Sequence, residues 1–314
     1  MAISKPHTDI GIWYSTWYAK TADYSKSNRE NTWTAWNIPV EPLLPDGSFG
    51  TYDSIDPNVI SFHLELMAEI GIDFIIMDQT NNIDVDGGYI NARSLMTART
   101  LKEYNDSPEH THKLRYCSAI GGIQWTRDYA TIEKEAKLLY ERYVMSDFGS
   151  SDYHYTVNGK PLLVVYAGNS GDADGWANYA GDKTYASRFT LGWANNASEA
   201  GCYGWAFDKG TQWHNETVVV MPGWDNRKGA KPVPRDGGRW YDQSWQVVLD
   251  ANKPPERIVI NSFNEYAECT AIFPALTEKY PNMPYTNPNG EYDPYYYWNL
   301  TREYIRRFKA KFGE

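Results

Sequence analysis

Short β-branched runs, separated by stretches of helical periodicity, limit the possible folds more than any other feature of this chain. Parallel strands need a long crossover connection, and an intervening helix supplies it. The predicted strands are Ile10–Tyr14 (continuing toward Tyr18), Asp73–Asp78, Leu114–Ile120, Gly159–Tyr166, Phe189–Trp193, Gly204–Asp208, Val218–Met221 and Ile258–Ile260. Between the first two, Asp56-Pro57 reads as the N-cap and first turn of a helix. Val59, Ile60, His63, Met67 and Ile70 then recur at helical spacing, and Gly71 ends the run. His63 falls beside that apolar stripe, where a satisfied core histidine is expected. Further helices are predicted near Ala92–Tyr104, Thr131–Met145, Trp240–Ala251 and Tyr295–Phe312. The order predicts an α/β fold, a (β/α)8 TIM barrel forming a single domain over residues 1–314 with long βα loops. The fourth to seventh strands are spaced closely enough to leave room for only short helices.

Composition removes several alternatives. Mean hydropathy is -0.62, and no long apolar run is present, which excludes a membrane-spanning helix. A net charge of -10 leaves no basic footprint for nucleic acid. Thirteen Trp and 25 Tyr stand against only 10 Phe, a preference for rings with a polar handle. Such rings suit a cleft that binds a ligand of mixed polarity, although a barrel core accounts for many of them. The 3 cysteines, Cys117, Cys202 and Cys269, are too widely spaced for a disulfide framework or a zinc site. Cys117 and Cys202 read as buried strand residues. Met1–Thr8 contains no apolar signal-peptide core. The same start would remain after removal of a leader, so a periplasmic, cell-surface or secreted location is the expectation and the compartment stays open.

In a parallel barrel the chemistry sits where strands end at the C-terminal face. The last predicted strand delivers Asn264, Glu265 and Glu268 in quick succession. Two carboxyl groups are what glycosidic cleavage commonly requires. Residues three apart point to opposite faces of a strand but to one side of a turn, so a strand ending at Glu265 and turning at once aims both at one pocket. Other strand ends add candidates: Trp13, Tyr14, Trp17 and Tyr18 after the first, Asp78 after the second, Tyr166 after the fourth and Trp193 after the fifth. Trp224, Asp225 and Asn226 after the seventh offer a stacking face and hydrogen bonds. Asp78 also reads as a loop cap, and Pro222–Asn226 as an ordinary turn.

The string SFNEYAECTAIFP, residues 262–274, resembles the signature of glycoside hydrolase family 99, the endo-α-mannosidases and endo-α-mannanases, and of related polysaccharide-cluster proteins. That pattern runs S/A-F/W-N-E-W-x-E-G-x-x-I/L-E-P. Asn264, Glu265, Glu268, Ile272 and Pro274 match it, while Tyr266 replaces Trp, Cys269 replaces Gly and Phe273 replaces Glu. The aromatic cluster Trp13–Tyr18, the string Gly159–Tyr166 and Pro222–Asn226 resemble three further strings of the family. The resemblance implies a retaining, endo-acting hydrolase of α-mannoside-like 1,2-trans linkages in a poly- or oligosaccharide, with no cofactor or metal. It implies that Glu265 is the base on the substrate's own 2-hydroxyl, giving a 1,2-anhydro sugar. Glu268 is implied as the acid/base at the leaving oxygen, with Glu265 raising its pKa by like charge. Two alternatives stand beside this: a carboxyl pair from different strands, such as Asp78 with Glu265, and a glycan-binding barrel without catalysis.

Overall fold

The computed structural model describes residues 7–20, 31–81, 83, 89–195, 203–205, 212–214 and 216–313. Seven parallel strands form its centre: β1 (Asp9–Ser15), β2 (Phe74–Gln79), β3 (Arg115–Ile120), β4 (Lys160–Tyr166), β5 (Thr190–Ala194), β6 (Thr217–Val220) and β7 (Arg257–Ile260). Their order is β5-β4-β3-β2-β1-β7-β6, with every neighbouring pair parallel. Helices α1 (Pro57–Glu69), α2 (Tyr89–Asp106), α3 (Ala130–Leu139), α4 (Arg239–Leu249) and α5 (Tyr296–Phe312) complete the main elements. The side chain of Asp56 caps α1 by accepting from Asn58 N, as its sequence predicts. A π-turn, Tyr140–Val144, extends α3 to the predicted end of that helix.

The expected closed barrel needs correction. The sheet curls through a half-barrel, and among the described residues no strand pairing joins β5 to β6. The strand expected at Gly204–Asp208 falls in that gap. Tyr203, Gly204 and Trp205 are not strand residues, and Ala206, Phe207 and Asp208 lie outside the described residues, as does Cys202. Tyr203 N donates to Trp193 O at 2.6 Å and Asn195 N to Gly204 O at 2.7 Å, so the chain doubles back along the end of β5. Gly204 has φ +138, and a Cβ there would lie 2.6 Å from Trp13 Nε1. Backbone and indole approach too closely for any other residue.

Side-chain alternation divides the sheet into two faces. The registers Trp13↔Ile76↔Cys117 and Ser15↔Asp78↔Ala119 put these residues on the concave face, continued by Val164 and Tyr166 of β4. Trp13, Phe74, Ile76, Cys117, Ala119, Val164, Val219 and Val259 fill the inside, and Tyr166 and Trp224 pack over the top of this cluster. The convex face carries Ile10, Ile12, Tyr14, Ile75 and Met77 against the helices. At the N-terminal end the inside is plugged by Phe74 stacked on Tyr155, with centroids 3.8 Å apart. Gly11 is required beneath that plug, since its Cβ would fall 2.2 Å from the Phe74 ring.

Candidate active site

The chain leaves β7 at Ile260 and folds at once into a tight turn. Glu265 N donates to Ser262 Oγ (2.9 Å), Thr270 N to Glu265 O (3.0 Å), and Ile272 N to Ser262 O (3.0 Å). Within this turn the spacing of three residues has a direct consequence: Glu268 N donates to Glu265 Oε1 at 3.0 Å. One carboxylate therefore anchors the backbone that carries the other.

Glu265 is 4% exposed and also accepts from Ser15 Oγ at 3.3 Å. Burial pushes its carboxyl well above the usual range. The negative charges of Glu268 and then Asp78 add to this, while the backbone N–H groups of Glu268 and Ala267 pull it partly back. Glu268 is only half-buried, and its Oε2 accepts from Trp224 Nε1 at 2.9 Å. Asp225 N donates to Glu268 O at 3.0 Å, so the Pro222–Asn226 loop docks on this glutamate twice. Asp78 lies inward at the end of β2, and burial raises its pKa, with Glu268 adding to the effect. Tyr166, inward at the end of β4, is raised by burial and then by Glu268 and Asp78. Asp78, Tyr166, Trp224, Glu265 and Glu268 thus share one space at the C-terminal mouth. Beneath them Trp13 donates to Tyr203 O at 2.6 Å and meets Trp205 edge-on at 5.4 Å.

Other expected site residues lie elsewhere or serve the turn. Tyr14 faces the convex side, where its hydroxyl shares a 2.9 Å hydrogen bond with His63 Nδ1. Adjacent residues of a strand cannot both face inward, and Trp13 occupies the inner place. His63 is the buried core histidine expected, its pKa lowered to about 3 by desolvation. Trp193 also faces outward, because β5 pairs Gly192 with Val164 and Ala194 with Tyr166, the inward residues of β4. Trp17 and Tyr18 are buried behind the turn. The Tyr18 hydroxyl donates to Asn264 O (2.8 Å), accepts from Tyr266 N (3.0 Å), and its ring stacks on Trp33. Asn264 is fully buried with its amide spent: Oδ1 accepts from Ser15 N, and Nδ2 donates to Ser15 O and the Tyr52 hydroxyl. It splices the end of β1 to the turn and has no donor left for a sugar. Asp225 accepts from Arg227 N and Asn282 Nδ2, and Asn226 from Lys228 N, so both side chains hold the loop. Asp78 Oδ1 caps its own loop through Thr80 N and Oγ1.

Several residues that build the site carry no local signal in the sequence. Arg235 is buried and donates from Nη2 to Cys269 O (2.9 Å) and Ala271 O (2.5 Å), with its guanidinium 4.3 Å from the Tyr297 ring centre. Arg227 donates to Ala267 O, Asn37 O and Trp36 O, clamping the turn to the loop after β1. Ser15 is another, a common residue whose role depends on its partner, whereas Ser262 opens the string that resembles the family signature. The departures from the family pattern also find places. Cys269 has φ +59, a left-handed conformation that favours the glycine it replaces, and its Sγ meets the Tyr280 hydroxyl. Phe273 joins His63, Phe263 and Trp298 in a buried ring cluster, and Tyr266 is fully buried beneath Tyr18. Among the described residues one set of side chains is spaced to share an ion, His7, Asp9 and Asp73, and it lies at the opposite end of the sheet. A cavity of about 520 Å³ beside α2, lined by Arg99, Arg142 and Phe148, also lies away from the mouth.

No protein-family model and no curated protein matches this sequence. Solved structures do match. A GH99 endo-alpha-mannosidase from Bacteroides thetaiotaomicron, in complex with BIS-TRIS-propane, superposes with a TM-score of 0.62 at 17% identity, covering 97% of this chain and 98% of that one. A second structure of the GH99 endo-alpha-mannosidase from that organism gives 0.60 at 16% identity, covering 97% and 99%. A glycoside hydrolase-like protein gives 0.51 at 12% identity, covering 97% and 94%. At these identities the likeness is one of fold: a curled parallel sheet with outer helices, similar to the barrel of those glycoside hydrolases.

Proposed function

We propose that this chain is a glycoside hydrolase that cleaves a 1,2-trans, α-mannoside-like linkage inside a poly- or oligosaccharide with retention of configuration. The observation that carries this reading is the glutamate pair on one turn at the C-terminal mouth, joined by the 3.0 Å bond from Glu268 N to Glu265 Oε1. In this reading residues 1–314 form one catalytic domain. Its substrate places the protein in the periplasm, at the cell surface or outside the cell.

Glu265 acts on the 2-hydroxyl. A buried carboxylate with a raised pKa is a stronger base than an exposed one, which suits removal of a hydroxyl proton. As that proton moves to Glu265, the 2-oxygen attacks the anomeric carbon, the glycosidic bond breaks and Glu268 protonates the departing oxygen. Glu268 then takes a proton from water, which opens the 1,2-anhydro sugar at the anomeric carbon, and Glu265 returns its proton to the 2-oxygen. Both carboxyl groups end as they began, and two inversions give retention. Glu268, half-exposed and held by the Trp224 indole, is the group within reach of solvent for the second half.

A second reading is favoured by Asp78, whose carboxyl is raised by burial and whose charge also acts on Glu265. Here a carboxylate attacks carbon directly and Asp78 and Glu265 divide the roles. A screen against α-mannans and other 1,2-trans glycans tests the reaction class, and absence of cleavage sinks it. An activated 2-fluoro glycoside of the accepted sugar then separates the mechanisms by mass spectrometry. The 2-hydroxyl route predicts no turnover and no adduct, whereas a stable adduct on Asp78 or Glu265 establishes direct attack.

A further inference from the structure

Among the described tryptophans Trp125 alone is exposed, at 67%. Exposure by itself is common for apolar side chains, but the setting of this one is specific. It stands on the short helix Gly122–Thr126, directly after the C-terminal end of β3. Ala119 of β3 pairs with Asp78, so the helix rises on the loop next to a carboxylate of the candidate site. The helix is pinned. Gln124 Nε2 donates to Thr80 O at 3.1 Å, and Gly122 N donates to Glu135 Oε2 at 3.0 Å. A Cβ on Gly121 would fall 2.2 Å from Thr80 O, so the backbone sits hard against the end of β2.

The next elements carry a packed ring cluster. Tyr129, at the start of α3, lies 6.1 Å from Tyr179, which stacks on Trp176 at 5.6 Å. Tyr179 and Trp176 belong to the segment that follows β4, whose last residue is the inward Tyr166. Trp176 is buried and Lys183 Nζ lies 4.9 Å from its ring centre, so this cluster braces the loops and leaves Trp125 as the open ring beside them. A rigid indole loses little conformational freedom on binding and offers an apolar face. The axial C–H face of a neutral sugar complements such a surface, and the place of Trp125 on the loop beside Asp78 selects a glycan over a protein partner.

We propose that Trp125 is the stacking platform of a distal subsite, holding a neutral sugar unit of the same glycan remote from the bond that is cut. The proposal rests on the hydrolase reading and extends it, making recognition depend on chain length. The test compares wild type with Trp125→Ala and Trp125→Phe on α-mannan oligosaccharides of increasing length. The wild-type-to-Ala ratio of kcat/KM should rise with length to roughly tenfold, the worth of covering about 60 Å² of apolar ring. Trp125→Phe, which keeps a ring, should recover most of it. An equal loss at every length, or no loss at any, overturns the subsite and leaves the hydrolase reading intact. If wild type cleaves none of these glycans the hydrolase reading fails, and fluorescence titration with the same oligosaccharides still reads the subsite. A change in emission that Trp125→Ala abolishes supports it; no change, or one that the variant retains, overturns it.

Discussion

The two ends of the sheet both carry acids, and they treat them in opposite ways. At the N-terminal end Asp73 accepts from Ile10 N at 2.8 Å, with His7 and His112 at 3.9 and 3.6 Å. Burial raises its carboxyl above the ordinary value, and that hydrogen bond and the charges of His112, His7 and Lys309 bring it only part of the way back. Asp9 accepts from the Tyr155 hydroxyl at 2.7 Å, and the Tyr155 ring is itself locked on Phe74. At the C-terminal end, the charges that act most on Glu265 are two more carboxylates, Glu268 and Asp78. Acids at the first end are surrounded by donors and cations that offset part of the cost of burying them. Acids gathered in a mouth with like charge are held at a disadvantage that only a reaction or a ligand relieves, which is where perturbed groups mark function.

The largest expected effect separates the ends by activity. Glu268→Gln should lower kcat/KM on the natural glycan by about 10²–10⁴, the usual worth of general acid–base help. Aryl glycosides that leave with little protonation should lose less in the cleavage step. Near-normal turnover of the glycan would remove Glu268 from the role and flatten the contrast between the ends.

Phe74→Ala makes the opposite cut. It opens a cavity in the plug and should destabilise the protein by about 3–5 kcal/mol in urea unfolding. The activity of the remaining folded molecules should hold, since the ring lies at the far end of the strands. A parallel collapse of kcat in fully folded samples would show that the plug shapes the mouth.

Glu265→Gln, read by stability rather than by activity, should stabilise the fold at neutral pH. Glu265 has a folded pKa above its ordinary value of 4.5. Below that pH the proton is bound in both folded and unfolded states, and the neutral acid resembles the amide. As pH rises through the folded pKa, the native state must bury a charge and stability is lost. The gain in Tm from the substitution should therefore be present at pH 7 and shrink toward pH 4. A destabilised variant at pH 7 would mean that the ionised carboxylate, through Glu268 N and Ser15 Oγ, holds the turn.

The smallest effect is expected at Cys269→Gly. Relief of the left-handed conformation is offset by the lost contact with Tyr280 and the freer unfolded chain, leaving a change below about 1 kcal/mol. A loss of several kcal/mol would show the thiol to be a structural part of the turn.

Much of this was readable from sequence, and the reason is locality. The strands β1 to β7 lie within two residues of their expected places, and α1, α2, α4 and α5 within three, because hydrophobic period, Asp56-Pro57 and the terminal glycines act over a few residues. The acidic turn was visible for the same cause, since Glu265 and Glu268 meet through a bond three residues long. Alternation alone separates Trp13 from Tyr14, adjacent residues of one strand, but which of them faces in depends on pairing with Phe74–Gln79. Trp193 turned outward for the same kind of reason, a register set by β4. Asn264 looked like a ligand because its consumers, Ser15 and Tyr52, lie more than 200 residues away.

By itself, then, the sequence determined the run of parallel strands and helices, and the turn that carries two glutamates. Only the tertiary structure decided that Glu265 is the desolvated one, that Asp78 and Tyr166 share its space, and that Arg227 and Arg235 hold its backbone. Periodicity and turn chemistry are properties of neighbouring residues. Burial and electrostatic field are sums over groups brought together from distant parts of the chain, and they exist only once it has folded.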